Sequence, residues 1–213
     1  MTTPAPHRGG FVFLDPEQGR VLRVVPFQYN PDRLTRTLRP QGIGDDPGDR
    51  LETLRLYGPP QETFHVEAEF NAADQWASAA GPEPPADIGL FGALSALESA
   101  VCPTSVQLAS QQRLASRGVL EVAPVEAPVP VLVLGPRRVL PVRIAEVTVT
   151  EEAHDGQLNP VRARVSLTMR VLTVDDVGPA HPAGGLYLRY QQGRERFAAL
   201  VGYGPGAVGY QGP

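Results

Sequence analysis

Two stretches of the chain alternate strictly between apolar and polar positions, and the rest is read from them. Phe64, Val66, Ala68 and Phe70 interleave with His65, Glu67 and Glu69. A period of two puts successive side chains on opposite faces, so this is one half-buried strand. Later, Arg143 to Glu152 sets Ala145, Val147 and Val149 on one face and Glu146, Thr148, Thr150 and Glu152 on the other. A turn-forming link follows, Ala153 to Asn159, and then Pro160. After it Val161, Ala163, Val165, Leu167, Met169 and Val171 alternate with Arg162, Arg164, Ser166, Thr168 and Arg170. The two runs predict an antiparallel hairpin with one apolar and one polar face. Its polar face sets a Glu/Thr strand beside an Arg/Ser/Thr strand, and cross-strand ion pairs there are worth about a few tenths of a kcal/mol each.

Shorter elements surround these. Phe11–Leu14, a turn at Asp15–Gly19 and Val21–Val25 predict a first strand pair. Asn30-Pro31 turns the chain, because the residue before proline avoids the helical region, and Arg33–Leu38 predicts another short strand. Pro40–Arg50 reads as a loop and Leu51–Tyr57 as a strand. Ala72–Asp87 gives no clear element, with Trp76 its expected packed residue. Leu90, Leu94, Leu97 and Val101 follow helical spacing, with Asp87 as an expected cap and Pro103 as the stop. Val106–Leu120 reads as a short helix or an irregular stretch. The apolar run Val131–Leu134 predicts a strand that ends at Gly135-Pro136. Residues 178–185 read as a linker, and Leu186–Val201 as a weak helix candidate. The expected organisation is a tail at 1–10, a β domain at 11–177, and a linker with a C-terminal extension at 178–213.

Composition agrees with short strands and many turns. The 22 glycines and 23 prolines exceed a fifth of 213 residues, which disfavours long helices. All 19 basic residues are arginine, as GC-rich codon usage produces, and the net charge of −4 argues against a general polyanion binder. No nucleic-acid partner is expected. Cys102 stands alone, so neither an intrachain disulfide nor a cysteine zinc site can form. Met1–Gly10 lacks an apolar signal core, and no apolar run is long enough to span a bilayer. Synthesis in the cytoplasm without direct membrane insertion is the expectation.

Candidate chemistry is sparse. His7, His65, His154 and His181 are scattered and show no metal-ligand spacing. A chain without lysine has no P-loop, and no nucleophile elbow is present. The pairs Asp45-Asp46, Glu151-Glu152 and Asp175-Asp176 are neighbours in sequence, and neighbours on a strand point to opposite faces rather than forming an acid/base dyad. Asp45–Asp49 lacks EF-hand spacing. Arg137-Arg138, with Arg143 nearby, is the densest basic cluster and reads as a solvated loop. The residues alone therefore predict a soluble, mainly β domain with one packed helix and no visible catalytic, metal or cofactor residues.

Val25-Pro-Phe-Gln-Tyr-Asn-Pro-Asp-Arg-Leu34 resembles the opening motif of contractile injection system tube-domain proteins, carried here by Phe27, Tyr29, Asn30 and Pro31. Further matches follow in order. They are the Phe64–Phe70 strand, the Leu90–Val101 helix, Pro130-Val-Leu-Val-Leu-Gly135, and Asn159-Pro-Val-Arg-Ala-Arg-Val-Ser-Leu-Thr168 with Pro160 and Arg162. The resemblance covers about residues 11–173. It implies a tail-tube-like antiparallel β-barrel or sandwich with one packed α-helix and a short C-terminal extension. It also implies a structural component, a tube initiator or adaptor, that forms a ring joining the inner tube to the baseplate hub and spike of a phage-tail-like particle. The implied partners are five further copies in a homo-hexamer, the tube protein and the hub/spike protein. The particle stays in the cytoplasm or is released outside the cell. Arg162, Arg164 and Arg170 would face the lumen or a neighbouring subunit. The family often carries a peptidoglycan-binding LysM module after this point, but residues 186–213 are too few for one and lack its signature. The alternative is an accessory β-barrel that binds a carbohydrate or another small ligand.

Overall fold

The computed structural model describes residues 8–42, 55–73, 88–118 and 126–211. Most of the Pro40–Arg50 loop and the Leu51–Tyr57 strand, together with Trp76, the Asp87 cap, the Asp45–Asp49 loop and the first seven residues, lies outside that range. The strands are β1 (Gly10–Leu14), β2 (Val21–Pro26), β3 (Leu34–Arg39), β4 (Gln61–Asn71), β5 (Val129–Val133), β6 (Val139–His154) and β7 (Pro160–Val171). The helices are α1 (Phe91–Glu98), α2 (Ser105–Ser116), α3 (Val174–Val177) and α4 (Pro182–Ala198). All strand pairs are antiparallel, in the order β2-β1-β5-β6-β7-β4-β3. The protein is mainly β, as its alternation predicts.

The expected barrel does not close. β2 and β3 are consecutive in the chain yet stand at opposite ends of the sheet, with no ladder between them. The link between them is instead tied down by isolated hydrogen bonds. Phe27 N–H donates to Gly9 O at 2.8 Å, and the Gln28 side-chain amide pairs with both backbone groups of Asn71 at the end of β4. The sheet still curls far enough to share one core. Phe11 and Phe13 of β1, Phe64–Phe70 of β4, the inward residues of β7, and Leu90, Leu94 and Leu97 at α1 belong to a single buried cluster.

β6 serves both halves of the sheet. Val139–Pro141 pair with β5, while Val142–His154 pair with β7. The two stretches are out of phase. Ile144 pairs with Met169 and Glu146 with Thr168, so Ala145 is an extra residue in a β-bulge. Leu140, Val142 and Ile144 point inward before the bulge, and Val147 and Val149 after it. Ala145, expected on the apolar face, is therefore exposed.

A second apolar cluster lies outside the sheet. β5 is buried on both faces, which is why it reads as a continuous apolar run. Leu132 enters the core, whereas Val129, Val131 and Val133 pack with Val12, Leu14, Ala183 and Leu186. α4 supplies that cover. Pro182 occupies its first turn, and the His181 ring accepts from Ala183 N–H at 3.1 Å. The segment after Gly178 thus contributes a packed 17-residue helix, where the sequence suggests a linker and a weak helix. α1 stops at Glu98, so Val101 is exposed. Arg23 of β2 donates to Ala96 O at 3.3 Å, and the Ser99 hydroxyl donates to the same carbonyl at 2.9 Å, at that helix's end. α2 begins with a Thr104–Gln107 capping box and buries no residue. The expectation of one packed helix is corrected to two, α1 on the main core and α4 joining that core, through Tyr187 and Tyr190, to the second cluster, through Ala183 and Leu186.

The approach of α4 to residues 178–179 requires a glycine, since a Cβ on Gly184 would sit 2.0 Å from Gly178 O. Gly184→Ala is expected to lower stability by about 1–3 kcal/mol, the usual cost of overpacking. Gly185→Ala, with open space at its Cβ, should be neutral or stabilising by up to about 1 kcal/mol. Urea unfolding of the two variants checks the contrast.

Candidate functional site

The uncovered side of β6-β7-β4-β3 is a polar surface across four strands. Thr35, Thr37 and Arg39 on β3 stand beside Thr63, His65, Glu67 and Glu69 on β4. Next come Arg162, Arg164, Ser166, Thr168 and Arg170 on β7, then Glu146, Thr148 and Thr150 on β6. The alternation of β4, β7 and β6 builds this surface directly, since every second residue faces away from the core.

The three arginines expected to face the lumen or a neighbouring subunit share this surface, and Arg170 has a different partner from the other two. Arg162 reaches Glu152 at 3.1 Å, and Arg164 reaches Glu69 at 3.1 Å and Glu152 at 3.5 Å. Arg170 stands at the other end of the strand and binds Asp176 of α3 at 2.7 Å. Partial burial raises the Asp176 pKa, but hydrogen bonds from Arg170 and Thr173 outweigh it and hold the carboxyl below its ordinary value. The exposed pairs are worth at most about 1 kcal/mol each. They fix side-chain positions more than they hold the fold.

The motif residues have structural positions. Phe27 is fully buried and meets the Phe11 ring edge-on at 5.6 Å. Asn30 Oδ1 accepts from Gly9 N–H at 2.8 Å, Pro31 is half-buried, and Tyr29 is half-exposed. Gly135 has φ +78° in the β5–β6 turn, where Leu134 N–H donates to Arg138 O at 2.8 Å. The Pro160 carbonyl accepts from Leu90 N–H at 2.8 Å, which ties β7 to the start of α1. Arg162 is the one motif residue on the polar surface.

A further charged group is buried at the end of the core. Glu62 falls in phase with Phe64, Val66, Ala68 and Phe70 and is 1% exposed. It binds Arg36 of β3 through Nε, Arg194 of α4 at 3.3 Å and the Tyr190 hydroxyl at 3.0 Å. Burial, followed by the Glu62 charge, raises the Tyr190 phenol pKa, so the hydroxyl keeps its proton and donates. The Arg36 guanidinium lies 5.9 Å from the centre of the Phe64 ring, whose face substitutes for a partner at the buried Nη2. The group joins β3, β4 and α4. Extending the alternation of β4 two residues back finds Glu62, but nothing in the sequence names its partners.

Among the described residues the same four-stranded unit has two edges without a ladder. There β3 pairs on its β4 side alone. β6 pairs with β5 no further than Pro141, so among the described residues its stretch from Ala145 to His154 has no strand on that side. The edges differ in charge. Arg33 and Arg39 are exposed at the β3 edge, with Arg36 turned inward to Glu62, while Glu146, Glu151 and Glu152 lie on the β6 edge, Glu151 beside His154 and Glu152 beside Arg162 and Arg164. Among the described residues no three His, Cys, Asp or Glu side chains gather as a metal would need, and no helix is long and apolar enough to cross a membrane.

No family model matches the chain, and no curated protein matches it in sequence.

Glu62→Gln leaves two arginines without their carboxylate, and a loss of about 2–4 kcal/mol is expected in chemical denaturation. Asp176 gives a pH signature. Its folded pKa lies below the 3.8 of the free group, so it stabilises the fold above pH 3.8. That contribution is lost as pH falls through the folded value. Asp176→Asn should flatten the stability profile in this acid range and leave its shape unchanged near neutrality, as thermal melts across pH will read.

Proposed function

We propose that this chain is a structural ring subunit of a phage-tail-like contractile injection system, in the layer that joins the inner tube to the baseplate hub and spike. The observation that carries the reading is the pair of oppositely charged edges, unladdered among the described residues, on the four-stranded part of the sheet. β6 and β3 run in opposite directions, so the β3 edge of one copy can receive the β6 edge of the next as an antiparallel pair. Such head-to-tail contact closes into a ring when the rotation per copy allows. It also covers edges that would otherwise recruit unrelated strands.

Dimensions and chemistry support the same reading. Four strands at about 4.8 Å give each copy about 19 Å of perimeter, so six copies make a ring about 37 Å across at the backbone. The surface facing that lumen is rich in threonine and in ion pairs that are already satisfied within the subunit, as a passage for unrelated cargo requires. The motif that resembles tube-domain proteins has a matching job, because Phe27, Gln28 and Asn30 hold the crossover that keeps β3 at the sheet's far edge. The partners in this reading are further copies of the chain, six in the ring, with the tube protein above and the hub/spike protein below.

Charge reversal at one edge, Arg33→Glu with Arg39→Glu, should abolish ring formation by negative-stain electron microscopy and sedimentation. Glu146→Arg with Glu151→Arg should do the same, and a chain carrying both swaps should recover. In the producing cell, loss of the gene should remove sheathed particles or leave tubes and sheaths without baseplates. Rings that form unchanged from single-edge variants would exclude this edge contact, and intact baseplate-bearing particles without the gene would exclude the core-layer role.

A further inference from the structure

Two apolar features of the surface have no role in the ring. One is an open groove of about 940 Å³ between the α1–α2 corner and the β1–β2 hairpin, with Phe13, Leu22, Val101, Pro103, Ala127 and Pro128 on its apolar side. The other is the segment after α4. Its Leu200, Val201, Tyr203, Val208 and Tyr210 are 60–86% exposed. That segment repeats itself, as Val201-Gly-Tyr-Gly-Pro205 and Val208-Gly-Tyr-Gln-Gly-Pro213, and has no charged side chain beyond Arg196.

We propose that the C-terminal segment of one copy docks in this groove on a second copy. The chemistry of the two surfaces matches. An uncharged strip of valines and tyrosines meets a mainly apolar lining, and Gln107 and Gln111 at the rim offer amides to tyrosine hydroxyls. β2, which supplies Leu22, is the end strand of the sheet, so its outer backbone groups can pair with an added strand.

The segment's exposure and its point of departure favour another copy as the partner. The start of α4 lies at the groove, where Pro182 packs on Gly19 in the turn that also carries Asp15, Pro16 and Glu17. Its end lies at the β5–β6 turn, where the Arg137 guanidinium is 5.7 Å from the centre of the Phe197 ring. A 17-residue helix separates these points by about 25 Å, and the segment leaves from the end remote from its own groove. The area is adequate. Two tyrosines and three aliphatic side chains bury about 600 Å² of the segment and a similar area of groove, which reaches the lower bound of a stable interface, about 1,200 Å² in total. The contact needs two copies and no ring, so it stands or falls separately from the edge pairing.

The test uses a fluorescein-labelled peptide of residues 200–213 and fluorescence anisotropy. The receptor is the full chain carrying Tyr203→Ser and Tyr210→Ser, which disables its own segment and leaves the groove intact. Binding in the micromolar range is expected. It should weaken at least tenfold when the receptor also carries Leu22→Arg, and at least tenfold when the peptide carries both serines. Circular dichroism checks that Leu22→Arg folds, and Val101→Arg on the half-exposed opposite wall repeats the test if it does not. No binding, or equal binding to intact and altered grooves, overturns the proposal. Protection of the groove by its own segment overturns it as well, and would appear as a wild-type chain that refuses the peptide at every protein concentration. None of these readings depends on ring assembly, which is scored separately by microscopy.

Discussion

Both halves of the sheet depend on one strand. β6 gives its first residues to β5 and the rest to β7, and the Ala145 bulge resets its facing between the two. Without that extra residue, the stretch that places Leu140, Val142 and Ile144 in the core would continue by putting Glu146 and Thr148 there, and one register would bury carboxylate and hydroxyl groups without partners. The bulge also turns the strand, which lets the sheet curl until β1 and β4 share a core while the far part of β6 runs clear of β5. Among the described residues the acidic edge lacks a ladder because β6 outlasts its neighbour. A local backbone irregularity thus sets the core, the curl and the candidate interface together.

Much of this was legible in the residues, and the reasons are specific. Alternation marks β4, β6 and β7 because each has one wet face, so the period of two survives in the sequence. It marks β5 differently, as a continuous apolar run, because α4 covers the face that would otherwise be polar. The bulge at Ala145 was hidden. Alanine suits either face, and a phase change costs the pattern one position. α4 was understated for another reason. Its contact face is Ala183, Gly184, Tyr187 and Tyr190, small residues and amphipathic rings that hydropathy scores weakly, and two of its close contacts depend on the absence of a side chain. The barrel expectation failed at the seam, where Gln28 and Asn30 replace a ladder by a few side-chain bonds that no periodicity announces.

The candidate surface shows the same division. Which residues face away from the core follows from the pattern, but which of them meet does not. Arg162 and Arg164 share Glu152 because irregular pairing near Glu151 brings it alongside, whereas Arg170 is drawn to Asp176 by the turn into α3. Edge charge is legible only once strand order is known. Arg33, Arg36 and Arg39 are an ordinary basic run until β3 is seen to end the sheet, and the glutamates of β6 gain meaning from the shortness of β5.

The Glu62 group has a consequence for how the chain comes into being. Tyr190 and Arg194 lie 128 and 132 residues beyond the carboxylate they hold. A ribosome working at about 5–20 residues per second delivers them several seconds or more after Glu62. Until they arrive, Glu62 has Arg36 as its one partner from this group and its other oxygen stays hydrated. The corner where β3, β4 and α4 meet therefore closes only after α4 has been made, and the oldest and youngest parts of the fold are fastened by one carboxylate.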